Sequence, residues 1–439
     1  MADNKDKKVL NVPVLRFPEF TEEWKRIRVS DLLDFYSTNS LSWEQLEYES
    51  NEPYNLHYGL IHVGLPTLVD LTKDKLPSIK EENVPKKYEL CKEGDVAFAD
   101  ASEDTNEVAK VVEFYNLDGK KVVCGLHTIH GRDNNKQTAK GFLGYCFSST
   151  VFHNQIRRIA QGTKIYSINT RNFSEVFVGL PSKSEQHKIA TLLRLIDEHI
   201  STQNKIIEDL KKLKSAIAET LFCTPKESMP AKRVSPYNKE WKLIKLSDIC
   251  QRVQTKNTGN QCRQVLTIAA QHGLVNQEDF FNKTVASENL EGYYLLQKGD
   301  FAYNKSYSGG YTWGAIKRLE WYDKGVLSPL YICFRPDSSK VNADFLAHYF
   351  ESKKWHKGIA DIAGEGARNH GLLNISVIDF FNTIHRIPDL DEQKDIARIL
   401  NSLSSKLSCE QRVIQNLTMQ RSYLLHKSTV YKGLHRVTV

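Results

Sequence analysis

The stretch NFSEVFVGLPSKSEQHKIATLLRLID, at Asn172–Asp197, recurs as DFFNTIHRIPDLDEQKDIARILNSLS at Asp379–Ser404. The two copies carry identical residues at aligned positions. These are Phe173, Pro181, Glu185, Gln186 and Ile189 in the first copy and Phe380, Pro388, Glu392, Gln393 and Ile396 in the second. An internal repeat with a constant offset predicts a chain built from two homologous halves.

Two further matches extend the repeat toward the N-terminus. FTEEWKRIRVSDLLDF, which begins at Phe20, matches YNKEWKLIKLSDIC, so that Trp24 corresponds to Trp241. CKEGDVAFAD, at Cys91–Asp100, matches QKGDFAYNK, at Gln297–Lys305, and each looks like a turn that leads into a buried strand. The offsets differ between matches, which indicates a shared framework with loops of different length.

Each half ends in a segment that predicts a long helix. No Pro or Gly occurs from Glu185 to Phe222, and the second segment runs from Glu392 to about Lys427. Apolar residues recur at steps of three and four, which is typical of a coiled-coil seam. The predicted seam consists of Ile189, Leu192, Ile196, Ile206, Leu210, Leu213 and Ile217, with Ile396, Ile399, Leu403, Val413, Leu417 and Leu424. Polar residues interrupt both seams alike, at His199 and Gln203 and at Lys406 and Glu410.

The fold class that follows is α/β (α+β), with two homologous globular domains and two long helices that form an antiparallel coiled coil with pseudo-twofold symmetry. The expected segments are 1–180, an N-terminal tail and first globular domain; 181–224, the first long helix; 225–387, a linker and second globular domain; and 388–439, the second long helix and tail. The alternative is that each helix is an ordinary amphipathic helix on its own domain. Lengths near 38 residues argue against it, since globular helices usually run about 8 to 20 residues.

Composition limits the class of protein. The 439 residues include 60 Lys and Arg against 53 Asp and Glu, a net charge of +7 that permits a nucleic-acid partner without requiring one. No apolar run resembles a membrane span, and MADNKDKKVL does not resemble a secretory signal, so we expect a cytoplasmic protein. The 8 cysteines form no C-x-x-C pair, so no metal site or disulfide framework is expected.

Motifs of the common enzyme classes are absent from the sequence. There is no phosphate-binding loop ending in GK[ST] and no Asn-Pro-Pro-aromatic motif of the kind found in adenine methyltransferases. Pro388–Lys394 superficially resembles the PD…ExK residues of metal-dependent nucleases, but its carboxylates are crowded at a helix start. Asp391 is there a candidate N-cap, and Glu392 suits the helix dipole. We therefore expect no catalytic residues in this chain.

Two globular segments that alternate with two repeated helices resemble the specificity subunit of a type I restriction–modification system. The resemblance covers nearly the whole chain. The motifs that carry it are FPEFTEEW, GDVAFADASEDTNEVAK, GLHTIHGRD, GTKIYSI and PSKSEQHKIATLLRLIDEHI. It implies a non-catalytic subunit whose two target recognition domains each read half of a bipartite double-stranded DNA site, with the paired helices as a ruler between them.

The resemblance also implies partner proteins. Two modification subunits would methylate adenine with S-adenosylmethionine, and restriction subunits would translocate and cut DNA with ATP and Mg²⁺. No cofactor is expected in this chain itself. Two other functions stay open: an enzyme with an unfamiliar site, and a scaffold that assembles partners through its long helices without reading DNA.

Polar, glycine-containing loops are the expected sites of DNA contact, since base edges are read by donors and acceptors. The candidates in the first domain are Arg132, Asn134, Asn135, Lys136, Gln137, Gln161, Lys164 and Tyr166. Those in the second are Lys305, Tyr307, Tyr311, Trp313, Arg368, Asn369 and His370. The alternative is that these are ordinary solvated loops and that Tyr311 and Trp313 belong to the core. The acidic run at 99–106 is expected to bond internally, and the alternative is that one of its carboxylates accepts from a cytosine amino group.

Overall fold

The computed structural model describes residues 12–48, 52–234, 236–269, 273–282, 289–306, 311–363 and 373–429. The chain forms two compact units. Unit 1 comprises Met1–Asn204 with Val413–Val439, and unit 2 comprises Lys205–Arg412. Each long helix therefore contributes residues to both units. Within the described ranges, no helix combines the length and apolar character needed to cross a bilayer.

Unit 1 is a mixed α/β structure. Its strands are β1 (Lys25–Arg28), β2 (Asp34–Tyr36), β3 (Leu46–Glu47), β4 (Tyr54–Leu56), β5 (Leu68–Asp70), β6 (Ser78–Ile79), β7 (Val96–Ala99), β8 (Ala101–Ser102), β9 (Val111–Asn116), β10 (Val122–Cys124), β11 (Thr128–Arg132), β12 (Tyr166–Ser167) and β13 (Phe177–Leu180). Its helices are α1 (Val29–Leu32), α2 (Tyr58–His62), α3 (Phe142–Phe147), α4 (Thr150–Ile159), α5 (Thr170–Ser174) and the start of α6 (Lys183–Leu221).

Unit 2 has the same classes of element. Its strands are β14 (Lys242–Lys245), β15 (Cys250–Arg252), β16 (Leu266–Ala269), β17 (Gly273–Asn276), β18 (Tyr294–Gln297), β19 (Phe301–Asn304), β20 (Ala315–Arg318), β21 (Lys324–Leu327), β22 (Ile332–Pro336) and β23 (Ile384–Ile387). Its helices are α7 (Leu246–Ile249), α8 (Gln277–Phe281), α9 (Ala343–Glu351), α10 (His356–Ile362), α11 (Val377–Phe381) and the start of α12 (Leu390–Thr429).

The sheet topology repeats between the units, as the sequence predicts. Unit 1 has a five-stranded sheet in the order β2-β11-β7-β9-β5, and unit 2 has a four-stranded sheet in the order β15-β22-β19-β20. The first four strands correspond, and unit 1 adds β5 at the edge. The ribbon β1-β13 likewise corresponds to β14-β23. The two halves are thus homologous in structure as well as in sequence.

The paired Gly-Asp motifs form the predicted turns. Gly94 and Gly299 have φ of 89° and 95°, a left-handed conformation that glycine adopts without strain. The following Asp95 and Asp300 donate their backbone N–H groups back across the turn at 3.0 and 2.9 Å. Each turn leads into a largely buried strand, β7 or β19, at the centre of its sheet.

The repeated Glu-Gln pair anchors each long helix to its own unit. Glu185 accepts two hydrogen bonds from Arg16, at 2.7 and 2.8 Å, and Glu392 accepts two from Arg233, both at 2.7 Å. Both glutamates are at most 1% exposed. Glu392 therefore serves a buried ion pair as well as the helix dipole. Asp391 is not the N-cap that the sequence suggested, because α12 begins one residue before it.

The neighbouring glutamines bind main-chain atoms. Gln186 accepts from the N–H of Ala139 at 2.8 Å and donates to the carbonyl of Pro181 at 3.0 Å. Gln393 accepts from the N–H of Asn342 at 2.8 Å and donates to the carbonyl of Pro388 at 2.9 Å. Each glutamine thus joins a helix start to the preceding proline and to the globular domain.

The long helices run antiparallel. In unit 1, Asp197 near the start of α6 accepts from Arg421 near the end of α12, at 3.2 Å from Nη2. In unit 2, Leu221 at the end of α6 shares a core with Leu400 near the start of α12. The helices have 39 and 40 residues, and each is therefore about 60 Å long.

The least exposed stripe of each helix follows heptad spacing, but it differs in part from the predicted seam. On α6 it comprises Leu193, Ile196, Ile200, Gln203, Ile207, Leu210, Lys214, Ile217 and Leu221, and the α12 stripe lies 207 residues further on. Ile206 is 40% exposed, whereas Ile207 is 8% exposed. Four predicted seam residues are exposed and lie outside the stripe: Ile206, Leu213, Ile399 and Val413. Alternating steps of three and four allow two apolar stripes on one helix, and the predicted seam contains residues of both.

Candidate nucleic-acid interface

Arg132 is a structural residue, which corrects the sequence-based expectation of a DNA contact. Its side chain is 7% exposed and points into unit 1 from the end of β11. Nε and Nη2 donate to Asp95, both at 2.8 Å, Nη1 donates to Glu89 at 2.8 Å, and Nη2 also donates to the carbonyl of Leu90 at 2.7 Å. A guanidinium satisfied in this way cannot also read a guanine.

The turn that follows Arg132 lies at the surface. Asn134 donates to Asp34 and to the hydroxyl of Tyr36, both at 2.7 Å, while Asn135 and Lys136 are exposed. Lys136 has a φ of 53°, and its carbonyl accepts from Lys183 of α6 at 2.9 Å.

Gln137 is half-buried, and its carbonyl accepts from Gln186 at 3.3 Å. The start of α6 therefore holds the backbone of this turn through Lys183 and Gln186. The exposed side chains of Asn135 and Lys136 are left for solvent or a ligand.

A second exposed loop is closed by a backbone bridge between Gln161 and Ser167, with hydrogen bonds of 2.9 and 2.8 Å. Gly162 lies inside it at a φ of 133°, and a Cβ there would approach the carbonyl oxygen of Ile165 to 1.9 Å. Lys164 and Gln161 are exposed, whereas Tyr166 packs against the core. The loop thus displays Lys164 at the surface, on a turn that the Gln161–Ser167 bridge closes.

The acidic run at 99–106 borders this loop because β8 pairs with β12. Asp100 lies 3.1 Å from Nδ1 of His127, and burial raises the pKa of the Asp100 carboxyl against the lowering effect of that histidine. Asp104 accepts from the N–H of Asn106 at 2.9 Å. These bonds support the internal role expected for the run.

In unit 2 the described candidates are only partly accessible. Lys305 is half-buried and donates to the carbonyl of Ile375 at 3.4 Å. Tyr311 packs against a core cluster, and Trp313 packs against the main core while its carbonyl accepts from Tyr303 at 2.8 Å. Both aromatic residues thus match the core alternative. Tyr307, Arg368, Asn369 and His370 lie outside the described residues.

Sequence reasoning missed two groups of residues. Arg16 and Arg233 both stand eight positions before the aligned tryptophans, so the repeat itself could have identified them. The second group is a buried cluster of Cys91, Cys124 and His130, whose possible metal-ligand atoms all lie within 4.8 Å of one another. Its members come from three separate segments, so no local spacing signals it.

The chain is similar to type I restriction–modification proteins along most of its length. A family model described as the type I restriction modification DNA specificity domain matches residues 21–212 and 238–419. The MjaVIII specificity subunit of Methanocaldococcus jannaschii is 22% identical over 333 residues, which cover 70% of this chain and 73% of that protein. A putative MjaX specificity subunit of the same organism is 25% identical over 235 residues, 52% of this chain and 53% of that protein.

A solved structure supports the same fold. The S subunit of a type I restriction–modification system from M. genitalium has a TM-score of 0.55 at 17% identity, over 95% of this chain and 99% of that one. The family match covers both halves and includes both helix starts. The chain therefore belongs to the type I restriction–modification DNA specificity family, as a non-catalytic DNA specificity subunit.

Proposed function

We propose that this specificity subunit reads a DNA site made of two separated half-sites, one for the recognition domain of each unit, and that its long helices set the spacing between them. The observation that carries the proposal is the duplicated anchor. Gln186 and Gln393 each tie the start of a long helix to a backbone N–H of the adjoining globular domain. A recognition domain that is fixed to the start of a long helix is held at a distance set by the length of that helix. That distance would then set the spacing between the two half-sites.

In unit 1, we assign DNA contact to the two exposed loops. Lys136 and Lys164 suit phosphates, and Asn135 offers the amide that pairs with an adenine edge. Asn134, Gln137, Gln161 and Tyr166 line or support the same loops. In unit 2, Lys305 stays a candidate, together with Tyr307, Arg368, Asn369 and His370.

The same proposal includes the partners. Two modification subunits would bring S-adenosylmethionine, and restriction subunits would bring ATP and Mg²⁺, in the cytoplasm. This chain supplies recognition and docking, and its long exposed helix faces suit protein contacts.

The ruler is tested by inserting seven residues near the middle of each long helix, after Asn204 and after Gln411, in a strain that carries the modification subunit. Seven helical residues add about 10 Å, close to three base pairs. Methylome sequencing should then show the same half-sites with a spacer about three base pairs longer, or no methylation. An unchanged spacer would refute the ruler. A four-residue insertion is the matched control, because it breaks the heptad and should abolish methylation.

The loop assignment is tested on the complex with its modification subunits. Replacing Lys136 and Lys164 with Ala should lower affinity about tenfold and reduce the salt slope by about two, one for each lost phosphate contact. The control replaces the exposed Lys73 and Lys75 and should leave both values unchanged. A scaffold that does not read DNA would select no sequence from a random duplex pool, with or without these changes.

A further inference from the structure

Two cysteines and a histidine converge inside unit 1. Cys91 lies in the segment before β7, Cys124 ends β10, and His130 is on β11. All three are at most 5% exposed. The two sulfur atoms are 3.5 Å apart, and a ring nitrogen of His130 lies within 4.8 Å of both. Two thiolates bound to one tetrahedral zinc ion at about 2.3 Å stand about 3.8 Å apart, so the sulfur positions are nearly those of a metal site.

The histidine is oriented as a metal ligand would be. Its Nε2 lies 2.7 Å from Oδ2 of Asp95 and donates to that carboxylate. Its Nδ1 is buried and has no hydrogen-bond partner among the residues that the structure describes. A buried nitrogen without a partner is costly, and a ligating histidine usually donates its other N–H to a carboxylate. Asp95 therefore fills the supporting role, and Nδ1 is left to coordinate.

The charges of the site balance once a divalent cation is present. Asp95 is already paired with Arg132, whose Nη2 donates to it at 2.8 Å. Two thiolates in a buried site require a counter-charge, and a divalent ion supplies that charge.

The equivalent position in unit 2 lacks these ligands but keeps the aspartate–arginine pair beside them. Asp300 accepts from Arg335 as Asp95 does from Arg132. His130 pairs with Ala97 across the sheet, and its counterpart Cys333 pairs with Ala302. By the same strand register, the counterparts of Cys91 and Cys124 are Leu296 and Leu327, both fully buried. The fold therefore does not need Cys, Cys and His here, so their presence in unit 1 requires another explanation.

We propose that Cys91, Cys124 and Nδ1 of His130 bind one zinc ion in the first recognition domain. Thiolate and imidazole ligands select zinc over magnesium or calcium. The three described residues leave a fourth position for water or a backbone oxygen. A cleft of about 490 Å³, lined in part by Asn39, Tyr88, Cys124 and His127, reaches the proposed site at Cys124.

The full chain should be purified without chelator and its metal content measured by mass spectrometry. We expect about one zinc per chain. Replacing Cys91 and Cys124 with Leu, the residues that unit 2 carries, should reduce this to less than about a tenth. The matched control replaces Cys250 and Cys333 of unit 2 with Ala and should keep the full content.

Cobalt substitution keeps the test decisive if the double leucine variant does not fold. The wild-type chain loaded with Co²⁺ should give the visible bands of a tetrahedral site and a thiolate charge-transfer band. His130→Cys, which introduces the unit 2 residue, should increase the charge-transfer intensity by about half, because a third thiolate joins the site. A wild-type chain that contains no zinc and takes up no cobalt would overturn the proposal. A disulfide between Cys91 and Cys124, detected by resistance to alkylation until reduction, would overturn it equally.

Discussion

Asp95 in unit 1 and Asp300 in unit 2 occupy the same turn and bind the same strand-borne arginine, yet their surroundings differ. Asp95 also accepts from His130 at 2.7 Å and lies near two cysteines. Asp300 has only leucine side chains and a single thiol at the corresponding places. The repeated strands and turns therefore accommodate different buried side chains, so that one domain can contain a chemically distinct cluster that the other domain lacks.

The largest expected effect tests how far the two aspartates differ. Asp95→Ala should lower the free energy of unfolding by about 4 kcal/mol, because the buried imidazole of His130 loses its partner and the buried guanidinium of Arg132 loses one of its two carboxylates. Asp300→Ala should cost about 2 kcal/mol, since the side chain of Arg335 is 47% exposed and water can replace the partner. Urea unfolding measures both values, with Asp209→Ala, at an exposed position of α6, as a surface control. Equal losses would contradict the asymmetry.

The two glutamate–arginine anchors at the starts of the long helices should lose similar amounts of stability when the glutamate is removed. Glu185→Ala and Glu392→Ala should each cost about 3 kcal/mol, because each removes both acceptors of a largely buried arginine. Urea unfolding measures these losses as well. Glu208→Ala, in an exposed pair with Lys212, is the control and should change stability by less than about 0.5 kcal/mol. A large loss in one unit and none in the other would show that the anchors are not equivalent.

The smallest effect concerns pH, through a carboxyl group found only in unit 1. Burial raises the pKa of Glu113 to about 7, against hydrogen bonds from Gly144 and Gly141, whereas the corresponding residue of unit 2 is Arg318. A raised pKa means that the folded state holds the proton more tightly. The stabilisation is therefore complete below the unfolded value of 4.5 and is lost as pH rises through about 7.

Wild-type protein should accordingly lose about 2 kcal/mol of stability through this group between pH 5.5 and pH 8. Glu113→Gln should remove that part of the pH dependence, because its side chain stays neutral throughout. Urea unfolding at a series of pH values compares the two proteins. Parallel curves would contradict a raised pKa at Glu113.

Much of the fold could be predicted from the repeat. The long helices, the Gly-Asp turns and the two homologous domains follow from local spacing and from aligned residues such as Gln186 and Gln393. The buried stripe of each long helix was harder to predict. Ile206 and Ile207 are adjacent isoleucines, and only their packing determines which of the two is buried. The choice depends on tertiary structure that a periodicity does not contain.

The candidate site was predicted less completely. The loop that contains Asn135 and Lys136 is exposed as expected, but Arg132 turned out to be buried. Its position at the end of a strand gave no sign that Asp95, 37 residues earlier, would be its partner. Long-range pairings of this kind, like that of Cys91 with Cys124, depend on strand order and cannot be read from neighbouring residues.

The glutamines at the helix starts have a consequence for how such proteins diversify. Gln186 and Gln393 hold the peptide N–H of residues 139 and 342, and a peptide N–H is the same for every amino acid except proline. The amino-acid sequence of a recognition domain can therefore change without loss of the hydrogen bond that joins the domain to its long helix. Proline at either of these two positions would abolish this hydrogen bond, because proline has no peptide N–H.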